Sequence, residues 1–467
     1  MPFIMPDYLG CNTVPFMNLS ERKSLIGLAL LYAFRMLGLF MLLPVLSLYS
    51  EGYTGSTAVL VGVALGIYGL TQGLFQIPLG FLSDKIGRKP VIVGGMLLFL
   101  VGSIIAATSE SMWGLIAGRA LQGTGAVAST IMALLSDLTT EQNRTKAMAA
   151  VGGSIGVAFA ISMIMGPVLA NVWGLTGLFW LTAALAVCGI LVLMLVVPSP
   201  ATLMQNAEAQ AVPAMFSKLL RDGELLRLNL GIGILHFAQM ASWVSVPLIL
   251  EQTLDFGRDQ HWIIYLGAMG LSFLCMLPFI ILGEAKRKMK PVFVGAVVLL
   301  AIGEVLLGSG SDSRLWFLLG LFVFFMAFNL LEATLPSLVS KIAPAGGKGT
   351  AMGIYSTSQF LGAFFGGVAG GLVAYHFGYE YVFLMVAMFI LLWIVAAATM
   401  KSPRHLKSLV VKLLPVETIE ISNFVGVVPG VCDVVVIPDQ QIAYFKVDMD
   451  EFSPEKMQEV LGRPIQV

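Results

Sequence analysis

The stretch GFLSDKIGRKP, residues 80–90, places Asp84, Lys85, Arg88 and Lys89 between two long apolar runs. Only 12% of the 467 residues are charged and 57% are hydrophobic. A soluble domain of this size carries about twice that charge. Mean hydropathy is +0.88. Apolar windows of roughly 20 residues, each long enough to cross a bilayer core as a helix, recur along the chain. Hydrocarbon offers backbone groups no water partners, so such windows are expected to be helical. The first reading is an all-α polytopic membrane protein, and the charged stretch is a loop between two crossings.

Spans are placed near residues 24–48, 57–79, 90–108, 112–135, 146–170, 175–197, 226–250, 262–283, 291–309, 314–337, 349–375 and 381–400. That is twelve transmembrane helices in two six-helix halves, 24–197 and 226–400, joined by a linker over 198–225. Lysine and arginine test the count. With residues 1–23 in the cytosol, the cytosolic segments include Lys85, Arg88 and Lys89, then Arg144 and Lys146, then Lys286, Arg287, Lys288 and Lys290. The opposite loops hold only Arg258 and Arg314. This is the positive-inside bias, and a miscount by one span would scramble it. Both termini are therefore expected in the cytosol. No cleavable signal peptide is read in the mixed, polar residues 1–23, and Met17 is read as an alternative start.

The halves also repeat. NRTKAMAAVGGSIG (143–156) is similar to GKGTAMGIYSTSQF (347–360), an offset of 204 residues. The same offset carries 80–90 onto EAKRKMKPVFV (284–294), another basic loop between a second and a third span. Paired six-helix halves are a transporter architecture. Zero net charge argues against a nucleic-acid partner. Cys11, Cys188, Cys275 and Cys432 are scattered, so no metal site or disulfide framework is expected. No nucleophile–base pair or phosphate loop is visible, so no enzyme and no cofactor is expected.

On these residues the chain resembles the major facilitator superfamily. Gly80, Asp84, Lys85, Gly87, Arg88 and Lys89 match its loop signature between the second and third spans, with Lys85 where arginine is commoner. GRALQGTG (118–125) resembles a second family motif, centred on Arg119. GVAFAISMIMGP (156–167) partly resembles the Gly-Pro motif of drug/proton antiporters, with Met163 where that motif has glycine. FRMLGLFMLLPVL, GIYGLTQGLFQIPLG and ALLSDLTTEQNRTKAMA resemble the bacterial YajR-type inner-membrane transporters. The resemblance implies alternating access, proton coupling, efflux of a small amphiphilic compound and a bacterial inner membrane. Import, or a membrane sensor reporting through the C-terminal domain, remain alternatives.

Gly80 is expected to let the second helix approach a neighbour closely. Asp84, at a helix end, suits the amides at another helix's N-terminus. The family implies the eleventh helix, beginning near Gly349 and Thr350. Arg88 is expected to bind Asp137.

Ionisable groups deep in spans are costly and usually functional. Arg35 lies about 16 Å into the first span. It either binds an anionic group or holds a carboxylate or carbonyl partner. Arg119, which the second motif implies in proton transfer or gating, has Gln122 one turn away. Glu332 is the first candidate proton carrier, with pairing to Lys341 as the alternative. His236, with Gln239 at i+3, is a further proton-coupling candidate. Glu304 is set aside as snorkelling from a peripheral helix. Candidate substrate contacts are Arg35, Tyr32, Tyr68, Gln72, Gln76, Asn329, Tyr355 and Gln359. Tyr68 with Gln72, Gln72 with Gln76, and Tyr355 with Gln359 share helix faces.

Residues 406–467 change character. The pattern reads as strand, helix, two strands, helix and a last short strand, which is a ferredoxin-like order. Cys432 stands alone there, so metal transfer is not expected, and a small ligand or ion is the candidate partner of this cytosolic domain.

Overall fold

A computed structural model describes residues 17–199, 213–284, 288–344, 347–401, 406–412, 424, 426–437, 442–448 and 451–461. The expected N-terminal segment before residue 17, most of the linker, Lys286 and Arg287, the first tail helix and the last tail strand lie outside the described residues.

The first half comprises α1 (Leu19–Phe40), α2 (Leu46–Tyr49), α3 (Ala58–Ile86), α4 (Arg88–Thr108), α5 (Met112–Thr124), α6 (Ala128–Asp137) and α7 (Glu141–Leu195). A short helix α8 (Pro213–Leu219) leads to α9 (Gly223–Leu248), α10 (His261–Glu284), α11 (Met289–Ser309), α12 (Arg314–Ile342), α13 (Lys348–His376) and α14 (Tyr379–Ala398). Among the described residues, ten helical segments are long and apolar enough to cross a membrane. The 55-residue α7 breaks at Gly174, whose φ of 63° and ψ of −172° leave the helical region.

Local chemistry explains several ends. Asn18 caps α1 in a reciprocal box with Glu21. Glu21 also accepts from Thr140 N at 2.8 Å and Asn143 Nδ2 at 3.1 Å, tying the start of α1 to the start of α7. Asp222 caps α9 by accepting from Glu224 N and Leu225 N. Gly87 sits at φ 99°, a backbone conformation that glycine adopts without penalty, and so turns α3 into α4.

Three spans depart from the uninterrupted helices expected. α1 ends at Phe40, and hydrogen-bonded turns carry the chain through Leu43 and Val45 to α2. The 112–135 span is two helices in series, because the backbone at Gly125 presses against α4. A Cβ there would meet the Gly95 carbonyl oxygen at 2.2 Å. α9 continues as a wider turn over Ile249–Thr253.

The two halves meet along α3 and α13. A Cβ on Gly62 would lie 2.0 Å from the Gly367 oxygen, one on Gly66 2.8 Å from the Phe364 oxygen, and one on Gly69 2.7 Å from the Phe360 oxygen. The seam ends there. Gly73 meets only the Phe360 Cβ at 3.4 Å and the Thr357 oxygen at 3.8 Å. Gly80 meets only Ser129 Oγ of its own half, at 3.7 Å. The close approach expected at Gly80 therefore occurs three to five turns earlier on the same helix, at Gly62, Gly66 and Gly69. The halves are pressed together at the end carrying Tyr53 and diverge towards the end carrying Gly87. Burial agrees. Residues of the first half near Tyr53 (Leu42, Leu43, Val61, Leu65) share one core with the second half. Those near Gly87 (Ile131, Leu134, Ala147, Val151) form a core of their own.

The tail forms a three-stranded antiparallel sheet of β1 (Leu406–Lys412), β2 (Val431–Ile437) and β3 (Ile442–Asp448), in the order β1-β3-β2. Leu409 pairs with Phe445 and Val434 with Phe445 on its other side. Cys432 falls at a bulge in β2. α15 (Pro454–Leu461) follows, and its Met457 packs with Phe424, Phe445 and Phe452.

Candidate functional site: a central polar pathway and its two ends

In the first half the sequence candidates gather round Tyr68. Arg35 on α1 donates from Nη2 to Tyr68 Oη at 2.8 Å and to Gln72 Oε1 at 2.9 Å, both on α3. Arg119 on α5 donates from Nε to the Ala64 oxygen at 3.3 Å and from Nη1 to Gln122 Oε1 at 3.0 Å. Gln122 Nε2 continues to Ser103 Oγ at 2.8 Å. The Arg119 guanidinium lies 5.1 Å from the Tyr68 ring centre. Tyr32 is buried on α1 one turn before Met36. Gln76 lies apart from this cluster and lines a cavity near Gly87.

In the second half His236 is the centre. Its Nε2 is 2.8 Å from Gln359 Nε2 on α13 and 4.0 Å from Glu332 Oε2 on α12. Gln239, the neighbour expected on the same helix, is not its hydrogen-bond partner; the longer-range Gln359 is. The Glu332 side chain is 40% exposed, and among the described residues its titratable neighbour is His236 rather than Lys341. Tyr355, one turn before Gln359 on α13, is buried with its hydroxyl unpartnered among the described residues. Asn329 points away from this group and donates from Nδ2 to Ser272 Oγ of α10 at 3.1 Å.

Sequence reasoning missed the rings that join the two groups. Phe40 of α1 and Phe159 of α7 meet edge-on at 4.9 Å. Phe159 lies 6.2 Å from Phe328 of α12, and Phe328 lies 5.9 Å from the His236 ring. This apolar chain crosses from one half to the other. In a chain with 29 phenylalanines nothing local marks these three. Glu304 is a second correction. It does not snorkel: it is fully buried and accepts from Ser242 Oγ of α9 at 3.0 and 3.2 Å.

The charged turn at Gly87 is an internal clamp of the first half. Arg88 is nearly buried and pairs with Asp84, with Asp137 Oδ2 at 3.2 Å and with Ser83 Oγ at 2.7 Å. Lys89 donates to the Val197 oxygen at 2.5 Å. Lys85 is exposed. A cavity of about 100 Å³ opens beside this clamp. Its walls include Asp84 and Ser129 from the first half and Gly349 and Gly353 from the start of α13. Asp84 thus faces the α13 terminus across a gap in this conformation. At the opposite end Arg258 pairs with Glu251 at 2.5 Å and lies 4.8 Å from the Tyr49 ring, a contact between halves.

The tail sheet docks on α12. Lys446 of β3 is buried and donates to the oxygens of Lys341, at 2.6 Å, and Ala343, where α12 ends. A cation there complements the helix dipole, an effect worth roughly 0.3–2 kcal/mol. Lys446→Ala is expected to raise hydrogen exchange in β3 and in the last turn of α12 several-fold. Unchanged exchange in both would show that the contact holds nothing in place. Among the described residues no group of His, Cys, Asp or Glu is placed to hold a metal ion.

The sequence profile of the Major Facilitator Superfamily matches residues 28–367 and 286–413, and the chain belongs to this superfamily of membrane transporters. It is a transporter of a small-molecule substrate and not an enzyme. It is 47% identical over 441 residues to the inner membrane transport protein YajR of Escherichia coli (strain K12), covering 92% of this chain and 95% of that one. It is 27% identical to the multidrug resistance protein MdtH of Aeromonas hydrophila, over 72% of this chain and 83% of the other. The nucleoside transporter NupG, solved as a single-site mutant, shares the fold at a TM-score of 0.65 and 14% identity, covering 81% of this chain and 99% of that one.

Proposed function

We propose that this protein is a proton-coupled exporter of a small amphiphilic compound, working by alternating access in a bacterial inner membrane with both termini cytosolic. The observation that carries the reading is the divergence of α3 and α13. Glycine packing closes the Tyr53 end, and the Gly87 end stands apart. With the Gly87 end in the cytosol, this is an inward-facing state. Twelve crossings follow when α5 and α6 count as one broken span and Gly174 divides α7 into two.

Glu332 is the proton carrier in this reading, with His236 and Gln359 as its relay and Arg119 as its counterpart in the first half. Arg35, Tyr32, Tyr68, Gln72, Gln76, Asn329 and Tyr355 form or flank the substrate path. The MdtH likeness supports export over import. The strand order β1-β3-β2, antiparallel throughout, supports a ferredoxin-like tail domain of regulatory role. Its Lys446 contact with α12, the helix that carries Glu332, supports the sensor reading as the second choice.

The test is proton flux into liposomes that hold a pH dye, with a panel of amphiphilic compounds added. Substrate-dependent flux in the wild type and none in Glu332→Gln is the expected result. Undiminished flux in the variant would remove Glu332 from the proton path. Absence of flux with every compound, together with a cellular phenotype that follows residues 406–467 alone, would favour the sensor.

A further inference from the structure

The hydrogen bonds round Tyr68 do not balance, and neither does the charge. Arg35 is 1% exposed and Arg119 is fully buried. Both guanidinium carbons lie within about 6 Å of the Tyr68 ring centre, at 6.0 and 5.1 Å. A guanidinium stays charged in a protein, and a buried charge without a counter-charge is costly. Yet the acidic residues of the first half, Glu21, Glu51, Asp84, Glu110, Asp137 and Glu141, all sit at helix ends or in loops. Neither arginine has a carboxylate partner among the described residues; both rely on neutral oxygens. Arg35 Nε and Nη1, Arg119 Nη2 and Gln72 Nε2 are buried donors without an acceptor among the described residues. Beside these donors stand Tyr32, Met36 and Phe99, the last with its ring centre 6.0 Å from the Arg35 guanidinium.

We propose that the substrate is an organic anion: an apolar body carrying an oxyanion headgroup, with Arg35 as the direct partner of that headgroup and Arg119 supplying the second positive charge. The proposal rests on the transport reading and narrows its substrate class. A surplus of buried donors and positive charge is what a carboxylate, sulfonate or phosphate corrects, through charge-assisted hydrogen bonds. An amine would add a third positive charge and more donors to a site already short of acceptors. The apolar neighbours fit the rest of such a molecule.

The test is binding to the purified full-length protein, read by thermal unfolding. The probes are short, medium and long arylalkyl carboxylates, each beside its own amide and amine. A ligand that binds only the folded state raises the midpoint, by about 3–4 °C at roughly 100- to 1,000-fold its Kd for a chain of this size. A shift with at least one carboxylate and not with its amide or amine is expected. Arg35→Gln should weaken that carboxylate at least tenfold, and Arg35→Lys should restore part of the loss. Gln72→Glu, which places a carboxylate 2.9 Å from the guanidinium without any ligand, should raise the midpoint of the unliganded protein. Equal shifts with amines, a carboxylate shift that survives Arg35→Gln, or no carboxylate shift at all would overturn the proposal. None of these readouts involves proton flux or direction, so they stand or fall apart from coupling and export.

Discussion

Gly62→Leu is expected to cut turnover more than tenfold while leaving the protein inserted and folded. A Cβ at residue 62 would sit 2.0 Å from the Gly367 oxygen, where no real atom pair rests. The neighbour is backbone and cannot swing aside. The halves must separate at the Tyr53 end to admit even one carbon, and a leucine drives them further. Overpacking of this kind costs typically 1–3 kcal/mol. The cost falls only on the conformation closed at that end, so about 2–3 kcal/mol shifts the two-state balance roughly 30- to 150-fold. The carrier would rest open at the Tyr53 end. Cysteines placed near Tyr53 should become reactive to an impermeant thiol reagent added outside, and transport should fall by more than tenfold. Gly80→Ala is the control for packing of this conformation only, because Gly80 lines the gap that closes at the Gly87 end. Its Cβ meets only Ser129 Oγ at 3.7 Å, so packing of this state is unchanged. Wild-type transport in Gly62→Leu would show that the seam is not a gate.

The second large effect is expected at Asp84. In this conformation its carboxylate is spent on Arg88, and the start of α13 lies across a cavity of about 100 Å³. Closing the Gly87 end brings Gly349 and its neighbours towards it. A carboxylate at a helix N-terminus contributes up to about 2 kcal/mol in a partly buried setting. Asp84→Asn keeps the shape and removes the charge. Transport should drop at least tenfold, with normal membrane insertion and an unfolding midpoint lowered only slightly, because Arg88 keeps Asp137 and Ser83 as partners. Arg88→Ala differs in kind. It strips Asp84, Asp137 and Ser83 of a shared partner inside one half. Breaking a buried pair typically costs about 3–5 kcal/mol, so this variant should lose stability as well as transport. Similar midpoints for the two variants would contradict the division between clamp and gate. So would full transport in Asp84→Asn.

The turn at 80–90 was legible because charge and glycine stand out against hydrocarbon-length apolar runs. The tail strands were legible too, since β-branched runs such as Val434–Val436 contrast with the spans before them. Other features were not visible locally. The Phe40–Phe159–Phe328 chain depends on which face of three distant helices meets another, and each phenylalanine alone resembles a lipid-facing one. Glu304 was misjudged because a carboxyl on a peripheral helix has two ways to turn, and its partner Ser242 lies 62 residues away. The seam did leave a trace. Gly62 and Gly66, and Gly367 and Gly371, are each spaced by one turn, the small-residue spacing of close helix pairs. The break at Gly125 was hidden because its cause, the backbone of Gly95, lies on another helix.

Alternating access about this seam requires reciprocal motion: one end opens as the other closes. It is tested most directly by two spin-label distances in protein whose native cysteines are replaced by serine. One pair joins the halves at the Gly87 end, through Ile86 and Lys288. The other joins them at the Tyr53 end, through Glu110 and Phe377. All four side chains are exposed. On introducing Gly62→Leu, the Ile86–Lys288 distance should shorten and the Glu110–Phe377 distance should lengthen within the same sample. Distances that lengthen together, or that do not change, would contradict alternating access about this seam.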